Sequence, residues 1–580
     1  MNRQISRKML IVVCFLFVFV FALGSRLYYL QIFRYEKFAK KALAQHRIEI
    51  TLPPQRGEIF DRNGEPFAIS VAAKSVFADP RKISNPEGVA SKLATVLPSD
   101  VKTLTESLSR KKSFVWVERK ITEEQVEKIT ALDLPGIYFL EEPKRFYPKG
   151  SMLSHVLGFV GIDSNGLEGL ELNFDSYLKG TSGKRVTGRD RKGREIITMR
   201  DEELLPVEGY NVVLTIDEVI QHLAERELEK VCQKFEPAGA MIVVMNPKTG
   251  EILALSNRPT YNPNQLEASS SDSRRNRIVT DFFEPGSTFK VITAAAALDQ
   301  EVVRLDETIF CENGAFWHAG HVLHDTHPYG EMTFQEVVEK SSNIGTAKVA
   351  FRLGGPRIYN YIRRFGFGSP TGSGLFGETA GVVYSPKKWS KYSIVAVPMG
   401  QEVGVTALQM TSAVSAIANK GKLMKPTIVR AIEDDHGNKI KEWKPQEVRQ
   451  VVSESVAAAV TQALEGVVSK KGTASRAGID GYRVAGKTGT AQKAVPGQGY
   501  SKSKYMSSFI GFAPVEDPQI CIGIFVDEPK GAYYGGLVAA PVFCAVAAEI
   551  LKYLDVPPNS VIQVENQLNE QEEAAAARES

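Results

Sequence analysis

A single apolar run near the start of the chain limits what the sequence can fold into. Residues 9–23 are fifteen consecutive apolar side chains, preceded by Arg3, Arg7 and Lys8. Fifteen helical residues cover about 22 Å of a bilayer core that is about 30 Å thick, so a spanning helix must continue to residue 30. The sequence therefore predicts a short tail at 1–8, a transmembrane anchor at 9–30 and water-soluble domains after it.

A cleaved signal peptide is the alternative interpretation of this segment, although residues 22–24 make a poor small-x-small cleavage site. Basic residues do not settle the orientation of an uncleaved anchor. Five of them, Arg26, Arg34, Lys37, Lys40 and Lys41, follow the apolar run, against three before it. Large domains cross the membrane largely regardless of such counts, so the orientation depends on the chemistry further along the chain.

Length and composition narrow the class of the soluble part. The chain has 580 residues, more than one hydrophobic core usually supports, so several domains are expected. Its net charge of +4 gives no reason to expect a nucleic-acid partner. The five cysteines are scattered without a C-x-x-C pair, which excludes a disulfide scaffold and a cysteine-type zinc module.

The pattern of elements changes near residue 236. Residues 31–236 mix strands and helices, with helices expected at 86–97 and 122–132 and a strand at 212–216, and carry little that looks catalytic. We interpret this stretch as a non-enzymatic pedestal of mixed α/β structure. Residues 557–580 are rich in Glu, Gln and Ala, and we expect this tail to be disordered.

Residues 237–556 are predicted to form an α+β domain. Two apolar strands at 240–245 and 251–255 flank a turn, and a polar loop is expected at 267–277. Helices follow, and a second strand pair is expected at 506–512 and 519–527. This order predicts an antiparallel sheet, flanked by helices and closed by segments that are distant in sequence.

The first chemical motif is the Ser-x-x-Lys of Ser287 and Lys290. A Pro-Gly pair precedes it and an apolar helix follows it. Spacing of three places both side chains on one helix face, where a lysine with a lowered pKa can take the proton of the serine hydroxyl. Other serines also have a lysine three residues on, but only Ser287 stands at a plausible helix start. They are Ser99, Ser109, Ser176, Ser385 and Ser501.

Two further motifs follow in order. In the first, Ser341 can relay a proton to a leaving amine, and the Asn343 amide can bind both substrate and Lys290. In the second, on a strand expected from Tyr482, Lys487 and its neighbours Thr488, Gly489 and Thr490 can recognise a substrate carboxylate. The cation of Lys487 would also help to lower the pKa of Lys290. The same triplet at 248–250 lies in a hairpin turn before the serine and is interpreted as structural.

Ser-x-x-Lys, Ser-x-Asn and Lys-Thr-Gly in this order are the signature of penicillin-binding proteins and serine β-lactamases. Further segments resemble the pedestal and the approach to the serine in monofunctional, class B penicillin-binding proteins: 56–64, 166–171, 214–217, Arg277, Asp281 and Glu284. The resemblance spans almost the whole chain. It implies a dimerisation-type pedestal followed by a penicillin-binding transpeptidase domain.

By this resemblance the protein is a peptidoglycan D,D-transpeptidase, which forms an acyl-enzyme with the D-Ala-D-Ala end of a stem peptide and transfers it to a neighbouring amine. Ser287 is then the nucleophile, Lys290 its base, and Ser341 with Asn343 the second element. Lys487, Thr488 and Thr490 hold the terminal carboxylate, and the backbone N–H groups of Ser287 and Thr490 form the oxyanion hole. Penicillins acylate Ser287, and no metal or cofactor is required.

The best match within the family is the division-specific branch that makes septal peptidoglycan, on the basis of residues 68–83 and 114–140. The resemblance implies a single-pass protein of the cytoplasmic membrane whose catalytic domain faces outward. It also implies a SEDS-type glycosyltransferase and small division membrane proteins as partners. Alternatives left open are an elongation-type class B enzyme, a β-lactamase or β-lactam sensor, and a scaffold with secondary catalysis.

Four histidines recur every three residues, at His318, His321, His324 and His327, with Cys311 upstream. Histidine with a thiolate is a plausible zinc ligand set. Gly320 and Pro328 argue for a loop or a strand there, and His327 matches the family's lead-in to Ser341. A metal site is therefore the less favoured hypothesis.

Overall fold

The computed structural model describes residues 3–38, 47–189, 195–495, 497 and 499–559. The chain forms two compact units. One contains residues 1–55 and 180–208, and the other contains residues 56–179 and 209–580. The tail expected to be disordered lies, from residue 560 on, outside the described residues.

The strands, in chain order, are β1 Arg47–Leu52, β2 Ile59–Phe60, β3 Pro66–Ala78, β4 Val115–Ile121, β5 Ile137–Phe146, β6 Gly183–Arg189, β7 Glu195–Leu204, β8 Asn211–Leu214, β9 Gly239–Met245, β10 Ile252–Arg258, β11 Thr308–Phe310, β12 Ala315–His318, β13 His321–His324, β14 Glu331–Thr333, β15 Lys422–Met424, β16 Val429–Glu433, β17 Lys439–Glu442, β18 Glu447–Gln450, β19 Ala485–Val495, β20 Gly499–Ala513 and β21 Ile520–Asp527.

The α-helices are α1 Arg3–Tyr28, α2 Pro86–Leu93, α3 Val101–Leu108, α4 Glu123–Ala131, α5 Ser154–Leu157, α6 Gly169–Asn173, α7 Asp175–Leu178, α8 Glu218–Phe235, α9 Ser271–Arg274, α10 Arg277–Thr280, α11 Lys290–Asp299, α12 Phe334–Glu339, α13 Asn343–Leu353, α14 Gly355–Arg364, α15 Ser393–Ala396, α16 Ala407–Ala418, α17 Glu454–Val468, α18 Gly535–Val538 and α19 Ala540–Tyr553.

The first unit contains the apolar helix. Residues Gln4–Phe33 form one helix that is long and apolar enough to cross a membrane. Helix α1 begins at Arg3, six residues before the anchor expected at 9–30, because no residue in the basic lead-in breaks a helix. The same unit contains a three-stranded antiparallel sheet in the order β1-β6-β7.

In the second unit, the pedestal is built around a seven-stranded sheet in the order β17-β16-β8-β2-β3, with β4 and β5 both pairing with β3. Strands β2 and β8 are parallel, and the other pairs are antiparallel. Strands β16 and β17 come from residues beyond 237, so this sheet crosses the expected domain boundary. That boundary stays a prediction.

The catalytic half is organised by a five-stranded antiparallel sheet in the order β10-β9-β21-β20-β19. Strand β9 is completely buried because both of its faces are covered. Ile242 and Val244 pack in one core with α8 and α19, and Met241 and Val243 pack in the other with α11 and α16. The predicted α+β fold, with a sheet closed by distant strands and flanked by helices, is confirmed.

Three local expectations were wrong. The polar loop at 267–277 contains the short helix α9, because Ser270 and Ser273 form a capping box there. The strand expected from Tyr482 begins at Ala485, since Tyr482 closes a turn by donating its N–H to Ile479. The helix expected at 86–97 ends at Leu93, and residues 94–97 continue it only as turns.

Candidate active site

Ser287 lies on a tight turn that is pressed against strand β19. The turn is a 3₁₀ helix, Gly286–Phe289, which leads directly into the buried helix α11. Gly286 has φ +57°, and a Cβ at this position would lie 2.9 Å from the Ala491 Cβ of β19. Only glycine permits this approach. The turn therefore holds the Ser287 hydroxyl beside the strand that carries the Lys-Thr-Gly motif.

Lys290 is 2% exposed and is the centre of the polar contacts. Its Nζ donates to the Ser341 carbonyl at 2.6 Å, to Asn343 Oδ1 at 2.7 Å and to Ser341 Oγ at 3.3 Å. Burial lowers the pKa of Lys290 to about 7, while the Asp325 carboxylate acts to raise it. Within the described residues, the Ser287 hydroxyl makes no hydrogen bond.

Ser341 stands between the two lysines. Lys487 Nζ donates to Ser341 Oγ at 2.9 Å, and Lys290 Nζ donates to the same oxygen. The backbone of Ser341 has φ +58°, a left-handed conformation that serine adopts only when its surroundings impose it. Because both lysines donate to the Ser341 oxygen, the proton of the Ser341 hydroxyl remains free to be given to another group.

Asn343 is the first residue of helix α13 and is held at both ends of its amide. Its Oδ1 accepts from Lys290, and its Nδ2 donates to the His324 carbonyl at 2.8 Å. An amide nitrogen carries two protons, so one remains for a substrate.

Lys487 is fully buried on β19, where burial and the neighbouring Lys290 hold its pKa well below the ordinary value of a lysine. Its ammonium group contacts Ser341 Oγ and the Thr488 carbonyl, at 2.9 and 3.3 Å. Lys487 thus connects the second and third motifs.

The other three residues of the third motif are placed around the open edge of β19. Thr488 Oγ1 lies 3.1 Å from Thr473 Oγ1, and Thr490 Oγ1 accepts the Gly535 N–H at 3.0 Å. A Cβ on Gly489 would lie 2.3 Å from Ser508 Oγ, so this position requires glycine. The half-buried Thr490 keeps its hydroxyl proton free to donate to a carboxylate.

Sequence reasoning missed Asp325, His324 and Thr473 as parts of this site. Asp325 binds the first turn of α13, His324 binds Asn343 through its carbonyl, and Thr473 binds Thr488. The His-rich segment did attract attention, but as a metal site. Its relation to Asn343 depends on tertiary contacts that no local pattern shows.

The histidines lie on and after the hairpin of β12 and β13, where His318 pairs with His321. His318 Nε2 contacts the Lys391 carbonyl at 3.1 Å, and Cys311 is buried 3.5 Å from Ser342 Oγ. Across the described ranges, no three His, Cys, Asp or Glu side chains are grouped to hold a metal ion. The zinc hypothesis gains no support from this geometry.

Comparisons with known proteins identify the family of the chain. Residues 240–550 match the family model of the penicillin binding protein transpeptidase domain, and residues 51–214 match that of the penicillin-binding protein dimerisation domain. Stage V sporulation protein D of Bacillus subtilis is 38% identical over 572 residues, covering 96% of this chain and 87% of the relative.

A second relative and a solved structure are also similar over most of the chain. The peptidoglycan D,D-transpeptidase FtsI of Escherichia coli is 33% identical over 560 residues, covering 94% of this chain and 92% of the relative. Among solved structures, penicillin binding protein 3 of Mycobacterium tuberculosis in complex with aztreonam is similar with a TM-score of 0.69 and 30% identity. That match covers 88% of this chain and 98% of the other.

Proposed function

The chain belongs to the class B penicillin-binding proteins, in their division-type branch of peptidoglycan D,D-transpeptidases, and on that premise we propose that Ser287 carries its acyl-enzyme. The observation that carries the proposal is the hydrogen-bonded cluster of Lys290, Ser341, Asn343 and Lys487 beside the Ser287 turn. This cluster provides a proton acceptor, a proton relay and a substrate-binding amide in one place.

In the acylation step, Ser287 Oγ attacks the carbonyl carbon of the penultimate D-Ala, and the neutral amine of Lys290 takes the hydroxyl proton. The lowered pKa of Lys290 supports this role, since a lysine at its ordinary pKa is protonated at neutral pH and cannot act as a base. The tetrahedral intermediate then collapses, and the bond to the terminal D-Ala breaks. Ser341 delivers the proton that the leaving amine requires, and Lys290 returns it to Ser341.

The open edge of β19 is where we place the substrate. Strand β19 ends the five-stranded sheet, so its outer edge is free to bind an extended peptide. The backbone N–H groups of Ser287 and Thr490 would stabilise the oxyanion. Thr488 and Thr490 would bind the terminal carboxylate, and the buried Lys487 is next to them on β19. In the second half of the reaction, an amine of a neighbouring stem peptide attacks the acyl-enzyme and forms the cross-link.

The turnover test uses the full-length protein in detergent with a stem pentapeptide donor and an amine acceptor. Mass spectrometry measures released D-Ala and the cross-linked product. We expect both products from the wild type and neither from Ser287→Ala. Ser385→Ala is the matched control, because Ser385 also has a lysine three residues on. Product from Ser287→Ala would contradict the proposal.

The protein is anchored to a membrane, and we propose that its catalytic half faces the outside of the cytoplasmic membrane, where peptidoglycan lies. A SEDS-type glycosyltransferase and small division membrane proteins are the partners that we propose for the anchor and pedestal. Ser287→Ala should retain these partners in a co-purification while losing turnover. Cysteine labelling from outside intact cells at Lys470→Cys, an exposed position just after α17, tests the orientation against the wild type as control.

The relatives favour two cellular roles for the cross-linking activity. FtsI relatives support a role at the division septum. Sporulation is the second candidate, because a relative named for it is 38% identical over nearly the whole chain. Depletion distinguishes the roles: filamentous cells indicate septal synthesis, normal growth with failed spores indicates sporulation, and rounded cells would indicate elongation.

A further inference from the structure

Asp325 is a carboxylate that follows strand β13 and binds the first turn of helix α13. Its Oδ2 accepts from Ser342 Oγ at 2.6 Å, and its Oδ1 accepts the N–H of Ile344 at 3.1 Å and the N–H of Asn343. The first N–H groups of a helix have no partner within the helix, and a carboxylate that accepts them is stabilising there. Asp325 therefore fixes the backbone of the Ser-x-Asn motif.

The same segment also holds the Asn343 side chain. Asn343 Nδ2 donates to the His324 carbonyl, so the end of β13 binds Asn343 through both its backbone and its amide. The other end of that amide, Oδ1, accepts a hydrogen bond from Lys290 Nζ at 2.7 Å. A displacement of Asp325 would consequently move the group that orients the Lys290 amine.

Asp325 also brings a negative charge into a site that holds two buried lysines. Lys487 approaches Lys290 from β19, and the neutral side chains of Ser341 and Asn343 approach it from just before and at the first residue of α13. Ser287 lies on the 3₁₀ turn that precedes Lys290. His324 contributes its carbonyl, through Asn343. Among the described residues that surround Lys290, Asp325 is the carboxylate whose charge acts on it.

We infer that Asp325 is a positioning residue of the transpeptidase, which fixes Asn343 against Lys290 and holds a negative charge one hydrogen-bonded residue away from the Lys290 amine. The inference rests on the proposed role of Lys290 as the base. Asp325 touches neither the nucleophile nor the expected position of the substrate, so it acts through its neighbours.

The charge has a measurable consequence. Asp325 raises the pKa of Lys290 against the effect of burial, so removal of the charge lowers that pKa. Lys290 would then remain neutral at lower pH, and the acid limb of the acylation rate would move downward. A residue with a purely structural role would change the rate at all pH values without moving the limb.

The experiment measures the rate of Ser287 acylation by fluorescent penicillin between pH 5 and 9, with the full-length protein in detergent. The Asp325→Asn side chain has the same shape as the aspartate. Its amide oxygen can still accept a backbone N–H, and its amide nitrogen can donate to Ser342 Oγ. We expect the acid limb of this variant to move to lower pH. Ser342→Ala removes the 2.6 Å contact but keeps the charge, and should lower the plateau with the limb unmoved.

Glu312→Gln is the matched control for loss of a carboxylate, because Glu312 pairs with Lys348 instead. Its limb and plateau should equal those of the wild type. If Asp325→Asn does not fold, Asp325→Glu keeps the charge and displaces it, and should reduce the plateau about tenfold with the limb in place.

An unmoved limb in a folded Asp325→Asn protein would overturn the inference, and so would an unchanged plateau in Asp325→Glu. Either result leaves the proposed function intact. A wild-type protein that takes no label would instead overturn the role of Ser287, and this inference with it.

Discussion

Lys290 and Lys487 donate to the same hydroxyl oxygen, Ser341 Oγ, at 3.3 and 2.9 Å. Both side chains are buried, and two ammonium groups this close repel each other in a site with little water. Burial lowers the pKa of both lysines, and the charge of Lys290 lowers the pKa of Lys487 further, so the pair loses a proton more readily than a lysine in water. This relationship explains how a serine protein without a histidine base can have an amine available near neutral pH.

The first prediction concerns pH. Because burial lowers the pKa of Lys290 to about 7, its amine is mostly protonated below pH 7 and mostly neutral above it. The rate of acylation by penicillin should therefore rise through an acid limb near pH 7 and level off above it. Stopped-flow or gel-based labelling across pH 5 to 9 measures the limb. A rate that is flat down to pH 5 would contradict this assignment of the base.

The second prediction removes the amine. Lys290→Met keeps an unbranched side chain of similar length in the buried position but has no proton acceptor. Acylation of Ser287 should slow by about 100- to 10,000-fold, the range for loss of a general base. Lys340→Met is the control, because Lys340 donates to the Lys471 carbonyl and, in the described part of the chain, to no residue of the site. Equal labelling of the two variants would exclude Lys290 as the base.

The third prediction concerns the glycine of the Lys-Thr-Gly motif. In Gly489→Ala, the new methyl group would lie 2.3 Å from Ser508 Oγ and 3.0 Å from the Pro285 carbonyl. Overpacking of this kind costs about 1–3 kcal/mol, and relief of the clash would push the Ser287 turn away from β19. We expect a lower unfolding temperature together with slower labelling.

Gly478→Ala is the control for this substitution, because its nearest atom, the Ser475 carbonyl oxygen, is 3.5 Å away and its backbone is unstrained. It should label and unfold like the wild type. If Gly489→Ala also behaves like the wild type, the approach of the turn to β19 is looser than described here.

The fourth prediction concerns the pedestal. Glu171 is fully buried and accepts from Arg56 Nε and Arg145 Nε, each at 2.6 Å. Glu171→Ala would leave two buried guanidinium groups without their shared partner, which costs about 3–5 kcal/mol. Chemical unfolding monitored by tryptophan fluorescence should show this loss. Glu123→Ala, which breaks an exposed pair with Lys74, should unfold like the wild type, and equal stability of both variants would contradict the prediction.

Much of the catalytic half could be predicted from the sequence because its signals are local. Pro-Gly before Ser287, the apolar helix after it and the apolar strands at both ends of this half are signals that each segment carries in its own sequence. The order of the three motifs then identifies the family, and the family comparison supports the fold and the activity.

The remaining features depend on contacts between distant segments. The capping of α13 by Asp325 joins residues that are eighteen or nineteen positions apart. The sheet that pairs β16 with β8 crosses the boundary expected at 236, because hydrogen bonding between strands does not follow chain order. No spacing rule marks Thr473 as a neighbour of Thr488 either.

The most direct test of the account is the chemical identity of the residue that penicillin acylates. The full-length protein and its Ser287→Ala variant are incubated with fluorescent penicillin, and the adduct is mapped by mass spectrometry over time. The account predicts a long-lived adduct on Ser287 and no adduct in the variant. An adduct on another residue, or rapid loss of label by hydrolysis, would contradict it.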